Sequence, residues 1–205
     1  MSQSIGPYLS YVKRFLENNP SKDLPYHNNE HMLGVWDNAL FILEHTEVAD
    51  KEYLRLVLLF ASLLHDYDHS GGTEPDSVNI ERALVGLEQC VKECPLELPK
   101  GLLHDASVAI RSTEYPYTCL PANATERILR DADVLYVMLH HKPIKVLKGL
   151  RSEMEVRKGG DISDEDLYIQ QRSFLSAMDI HTEVGKQLVT QNQSWFEVEL
   201  EKLIA

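Results

Sequence analysis

The strongest pattern along the chain is an apolar run, Val57-Leu58-Leu59-Phe60-Ala61-Ser62-Leu63-Leu64, that ends abruptly in His65-Asp66-Tyr67-Asp68-His69. A helix that is apolar on nearly every side is a buried helix. The run therefore predicts that His65, Asp66, Asp68 and His69 are delivered near the middle of the fold. Carboxylates in a dry interior are paired, protonated or bound to metal, because an uncompensated charge there costs several kcal/mol. Imidazole beside carboxylate suits a divalent cation.

Elsewhere the apolar positions recur with the helical period, as in Met32, Leu33, Val35, Trp36, Ala39, Leu40 and Leu43. The pattern predicts helices over about 3–18, 28–46, 51–68, 76–93, 100–113, 122–140, 142–157, 164–189 and 193–204. Pro20, Pro25, Gly71-Gly72, Pro95, Pro99, Pro116, Pro121 and Gly159-Gly160 punctuate them, and Ser163 with Asp166 three residues on is a capping-box signal. Nothing alternates with period two for long enough to build a sheet, and no repeat or linker interrupts the chain. The expectation is an all-α, single compact helical domain over 1–205.

Composition narrows the partners. The net charge of −12 argues against a nucleic-acid polymer or an anionic membrane, although bound cations can reverse the local potential for a small phosphate ester. No apolar stretch is long enough to span a bilayer, and the first residues lack a basic segment followed by an apolar one. A cytoplasmic protein is expected. Cys90, Cys94 and Cys119 have no zinc-ribbon spacing, and their odd number fits reduced thiols. The oligomeric state is left open, an oligomer included.

Candidate chemistry starts from two histidines. His27 and His31 are four apart, so on a helix they would share one face. Of the others, His45, His140 and His141 fall at helix ends as solvated or capping groups, and His104 and His181 stay undecided.

Taken together, Tyr26-His27-Asn28-x-x-His31 and His65-Asp66-x-Asp68-His69-x-Gly71 resemble the HD superfamily of metal-dependent phosphohydrolases. Within it, the likeness is to cyclic-nucleotide phosphodiesterases, whose motifs read Y-H-N-x-x-H and H-D-x-D-H-x-G. Ile110-Arg111-Ser112-Thr113 is similar to their Ile-x-x-Thr arrangement, and Ala132-Asp133 to the Ala-Asp pair that carries the last metal ligand. Asp131 would point about 200° away from Asp133 on a helix and is expected to pair with Arg127 or Arg130.

The resemblance implies an HD-type fold in which His31, His65, Asp66 and Asp133 bind a transition-metal ion, zinc, manganese or iron. Asp66 would also bridge to a second, oxygen-rich site for magnesium or manganese. It implies hydrolysis of a small phosphate ester, a phosphodiester or nucleotide, by a metal-bound hydroxide, with His27 as general acid. Asp68, His69, Glu81 and Thr113 would orient ligands or waters without binding metal. Tyr26, Gln171 and Phe174 would meet the substrate, and Gln171, Phe174, Met178 and His181 would share one side of a long helix. Two alternatives stay open: an HD-type di-iron oxygenase acting on a small phosphonate or polyol, and a non-catalytic, nucleotide-binding HD sensor. Only His104 lies between His69 and His140, too few histidines for the oxygenase's second iron.

Overall fold

The apolar run forms the axis of the molecule. In the computed structural model, which describes residues 4–205, the helices are α1 (Gly6–Leu16), α2 (Asn29–Glu44), α3 (Lys51–Leu64), α4 (Asp76–Glu93), α5 (Leu102–Arg111), α6 (Ala124–Val134), α7 (Tyr136–Leu139), α8 (Pro143–Lys158), α9 (Asp164–Ala177) and α10 (Glu183–Glu201). No strand occurs among the described residues. The fold is all-α. Residue 3, where the first helix was expected to start, lies outside the described residues.

Every residue of α3 from Leu56 to Leu64 is buried, because α1, α2, α4, α5 and α6 all touch this one helix. A second group, α7, α8 and α10, packs together and meets the first through α2 and α6. Trp36 is core. The three cysteines are free thiols. No helix among the described residues is long and apolar enough to cross a membrane.

Polar caps decide where several helices begin. Asn28 Oδ1 accepts the Glu30 and His31 N–H groups at 2.8 and 3.1 Å, starting α2, and Asn123 Oδ1 accepts the Glu126 N–H at 3.1 Å, starting α6. Ser163 Oγ accepts the Asp166 N–H at 3.0 Å, as its spacing predicts. Such caps satisfy N–H groups that the helix itself leaves unpaired.

Three boundaries differ from the sequence pattern. The helix expected over 51–68 stops at Leu64, and the chain turns through Asp68 with φ 59° and Gly71 with φ 64°. The helix expected over 122–140 is two helices joined at Leu135. The segments expected over 164–189 and 193–204 break instead at 178–182, while α10 runs unbroken through 190–192. Asp131 explains the last. Fully buried, it accepts the His181 N–H at 2.9 Å, the Thr182 N–H at 2.7 Å and the Thr182 hydroxyl at 2.6 Å, and Thr182 Oγ1 then caps α10 through the Gly185 N–H at 2.9 Å. The expected pairing of Asp131 with Arg127 or Arg130 is not made: Asp131 is held by the 181–182 segment, while Arg127 donates to the Pro121 and Ala122 carbonyls and Arg130 to those of Ser112 and Cys119.

Candidate metal centre

Three segments bring four donors together: His31, His65 and Asp133 offer ligand atoms within 4.8 Å of one another, and Asp66 touches both histidines. The Asn28 cap sets His31 in the first turn of α2, His65 and Asp66 follow the last turn of α3, and Asp133 lies in the last turn of α6. Nε2 of His31 is 3.2 Å from Nε2 of His65, 3.0 Å from Oδ2 of Asp66 and 3.3 Å from Oδ1 of Asp133. Nε2 of His65 is 3.1 Å from Asp66 and 3.6 Å from Asp133. The ends of α3 and α6 that meet here are both C-terminal, and a helix's C-terminal dipole favours a cation.

Tautomers follow from the outer contacts. Nδ1 of His65 donates to the Ser62 carbonyl at 2.8 Å, which leaves a lone pair on Nε2 aimed at the cluster. His31 Nδ1 is buried without a hydrogen-bond partner, while the rings of Tyr26 and Tyr136 close around the imidazole at 4.8 and 4.6 Å. Leaving a buried polar atom unpaired costs about 1–3 kcal/mol, so this imidazole is held in place for what its Nε2 does. Although burial opposes every charge here, the Asp66 and Asp133 carboxylates hold His65 well above the ordinary imidazole pKa. The same pairing, His65 foremost, holds Asp66 well below the carboxylate range. The residues fit a cation: four lone-pair donors, two imidazole and two carboxylate, that mutually repel unless a proton or a metal sits between them.

Beside this cluster stands a second group built differently. His27 precedes the Asn28 cap and so lies outside α2; the cap, not a shared helix face, brings it near His31. Glu153 of α8, 4 % exposed, accepts the Tyr26 and His27 N–H groups through Oε1 at 2.7 and 3.0 Å, and its Oε2 accepts from His27 Nδ1. Two glycines permit the approach. A Cβ on Gly149, one turn earlier in α8, would fall 2.2 Å from the Pro25 carbonyl, and one on Gly72 would fall 2.3 Å from the carbonyl of Glu153 itself. Burial works against both charges, yet Asp66 and Glu153 raise the His27 pKa, and His27 lowers that of Glu153.

The remaining expected residues divide. His69 is buried, its ring stacked 3.7 Å from that of His27. The Gly71 N–H approaches its Nδ1 at 3.1 Å and Asn79 Nδ2 its Nε2 at 2.9 Å. A neutral imidazole accepts at one nitrogen only, so one of these is a full hydrogen bond, and both disfavour protonation. Burial, then His27, push the His69 pKa down to about 4. Nδ1/Nε2 atoms of His27 and His69 and an Asp66 oxygen lie within 4.8 Å of one another, but the partners just named already occupy His27 Nδ1 and both sides of His69.

Asp68 and Glu81 stand apart from the cluster. The positive φ at Asp68 turns its carboxylate to Arg82 Nε, 3.0 Å away, and Glu81 is exposed, paired with Arg111 at 2.6 Å. Val78, Glu81, Val85 and Val91 recur near one face of α4 and by spacing suggest a buried stripe with Glu81 as its polar member, but Val78 and Val85 are exposed, while Asn79, Ile80, Ala83, Leu84 and Leu87 face inward. Asn79 is the polar member of that true stripe, and its Oδ1 also accepts the Ser70 N–H at 3.0 Å. Thr113 is buried beside the cavity with its hydroxyl donated back to the Ile110 carbonyl at 2.8 Å.

A cavity of about 930 Å³ opens over both groups, lined by Tyr26, His27, His65, Asp66, Thr113 and Asp133 on one side and by Met154, Gln171, Phe174 and Met178 on another. The break at 178–182 leaves His181 off the helix that carries Gln171 and Phe174. The amide of Gln171, 8 % exposed, has no hydrogen-bond partner among the described residues. Sequence reasoning missed Glu153, Asn79 and the loop residues Tyr115 and Tyr117 that also line the cavity. Only for Asn79 did the sequence carry a usable signal, a lone polar position on an apolar stripe. No protein-family model matches the chain, and no curated protein matches it significantly.

Proposed function

We propose that the chain is a metal-dependent phosphohydrolase of the HD type, acting on a small phosphate ester such as a phosphodiester or nucleotide. One observation carries the reading: Nε2 of His31 and Nε2 of His65 lie 3.2 Å apart, and each lies 3.0–3.6 Å from an oxygen of Asp66 and of Asp133, beside a cavity that His65, Asp66 and Asp133 line together with the oriented imidazole of His27. These four residues would hold zinc, manganese or iron, and Asp66 would share a second ion, magnesium or manganese. Such ions, when bound, polarise phosphoryl oxygens and lower the pKa of water to near 7.

The chain's own groups do the rest. Glu153 fixes the His27 ring through Nδ1, so Nε2 is the nitrogen left to face a substrate. A protonated His27 gives its Nε2 proton to the departing oxygen, a role worth roughly 10²–10⁴-fold, and Glu153 stabilises the ring while it carries that proton. His69, stacked on the His27 ring, keeps the ring plane and stays neutral. Gln171 offers an amide donor and acceptor to the group beyond the phosphate, and Tyr26 and Phe174 enclose it.

Metal-free protein should be inert towards a panel of cyclic nucleotides, nucleoside phosphates and bis-nitrophenyl phosphate, and manganese should restore turnover. Equal turnover by exhaustively metal-free protein would sink this reading. Tight nucleotide binding without turnover would reassign the chain as a sensor, and an oxygen-dependent product with two irons per chain would reassign it as an oxygenase.

A further inference from the structure

The connection between α5 and α6 carries an aromatic ring that is held from behind by a buried cation. Arg130, 3 % exposed, sits on α6 one turn before Asp133. Its Nε and Nη2 donate to the Ser112 carbonyl, the first at 2.8 Å, and its Nη1 donates to the Cys119 carbonyl at 2.9 Å. Two points of the connection, its first residue and Cys119, are thereby tied to one side chain. The guanidinium carbon lies 4.3 Å from the centroid of the Tyr117 ring, and Tyr115 meets that ring edge-on at 5.5 Å. Among the described residues Arg130 has no carboxylate partner, so carbonyl oxygens and the face of Tyr117 are what compensate its buried charge.

Tyr117 lines the same cavity as His27, Asp66 and Asp133. Arg130 covers one face of its ring, which leaves the other face for whatever enters, and no further ring stacks on it among the described residues. Apolar side chains, Met154, Ile169, Phe174 and Met178, also line the cavity, and among the described residues Arg157 is the one Lys or Arg in the lining. A flat, uncharged group suits these walls better than a chain of phosphates does.

Resting on the phosphohydrolase reading, we propose that Tyr117 is the shelf on which a planar aromatic ring of the substrate stacks, and that Arg130 positions that shelf relative to Asp133. A nucleobase and an aryl alcohol share this chemistry. Base–aromatic stacking lost to substitution weakens binding by roughly 5- to 150-fold.

Calorimetric binding to manganese-loaded protein tests the shelf with two matched pairs: AMP against ribose 5-phosphate, and phenyl phosphate against ethyl phosphate. The wild type should prefer the aromatic member of at least one pair, and which pair separates base from aryl group. Tyr117→Leu should erase that preference without changing affinity for the non-aromatic member, and Tyr117→Phe should keep it. Arg130→Lys, which cannot span both carbonyls, should lower the preference and again spare the non-aromatic member. Unchanged preference in Tyr117→Leu, or equal weakening of both members, overturns the shelf. A wild type that hydrolyses phosphate esters with no aromatic preference overturns the shelf alone, whereas one that binds no member of either pair overturns the phosphohydrolase reading with it.

Discussion

Two neighbouring clusters use the same side-chain types in opposite ways. Around His27, the polar groups are paired with complements: carboxylate accepts from imidazole and backbone, and amide meets imidazole. Around His31 and His65, the two imidazole nitrogens lie 3.2 Å apart and each lies 3.0–3.6 Å from an oxygen of Asp66 and of Asp133, and what complements them is a positive charge. A buried group with its partner in place rigidifies a site; buried lone pairs facing one another call for a cation. On the phosphohydrolase reading proposed above, this difference would give metal to one cluster and proton transfer to the other.

The largest effect that could break this division is on metal affinity. Removing a group that merely orients a ligand costs about 10–100-fold, so Asp133→Asn should weaken manganese binding by more than ~100-fold, measured by titration of metal-free protein. Full affinity in that variant would dissolve the contrast. Next, His27→Ala should bind manganese normally yet lose roughly 10²–10⁴-fold in turnover on a substrate with a poor leaving group, and Glu153→Gln should lose about 10–100-fold by the same assay. Either variant losing metal instead would merge the two clusters.

A smaller effect concerns pH. His69 stays neutral in the folded chain down to about pH 4, while the unfolded chain takes up that proton near its ordinary value of 6.5. Between those values the unfolded state binds more protons, so the stability contributed by neutral His69 is present above 6.5 and is lost as pH falls towards 4. Urea midpoints of metal-free protein from pH 7 to 4.5 should fall more steeply for the wild type than for His69→Gln. The smallest effect is that of Glu81→Gln, expected to leave metal affinity and turnover unchanged and stability within about 0.5 kcal/mol; a loss of activity would bring α4's outer face into the site.

Legibility followed the range of the interactions. The buried end of α3 could be read from the apolar run alone, since an all-apolar helix has nowhere else to go; helical phase showed only that Asp131 and Asp133 point apart, and the choice of Asp133 came from the resemblance of Ala132-Asp133 to the HD pattern. Glu153 could not, because nothing local marks a carboxylate that meets a histidine 126 residues away. Glu81 misled for a related reason: two valines spaced to suggest a buried stripe are exposed, and the neighbouring phase carries the core. The break before α10 was equally hidden, since it is made by Asp131 reaching across from another helix.

By itself the sequence determined the all-helical class, the burial of α3 and the residue types available at its end, because periodicity and capping act over a few residues. Tertiary structure decided which of those side chains meet, which imidazole is given to a carboxylate and which keeps its lone pair, and how Arg130 holds Tyr117 at the cavity wall. Those outcomes depend on close approaches, at Gly72 and Gly149 above all, between segments far apart in the chain.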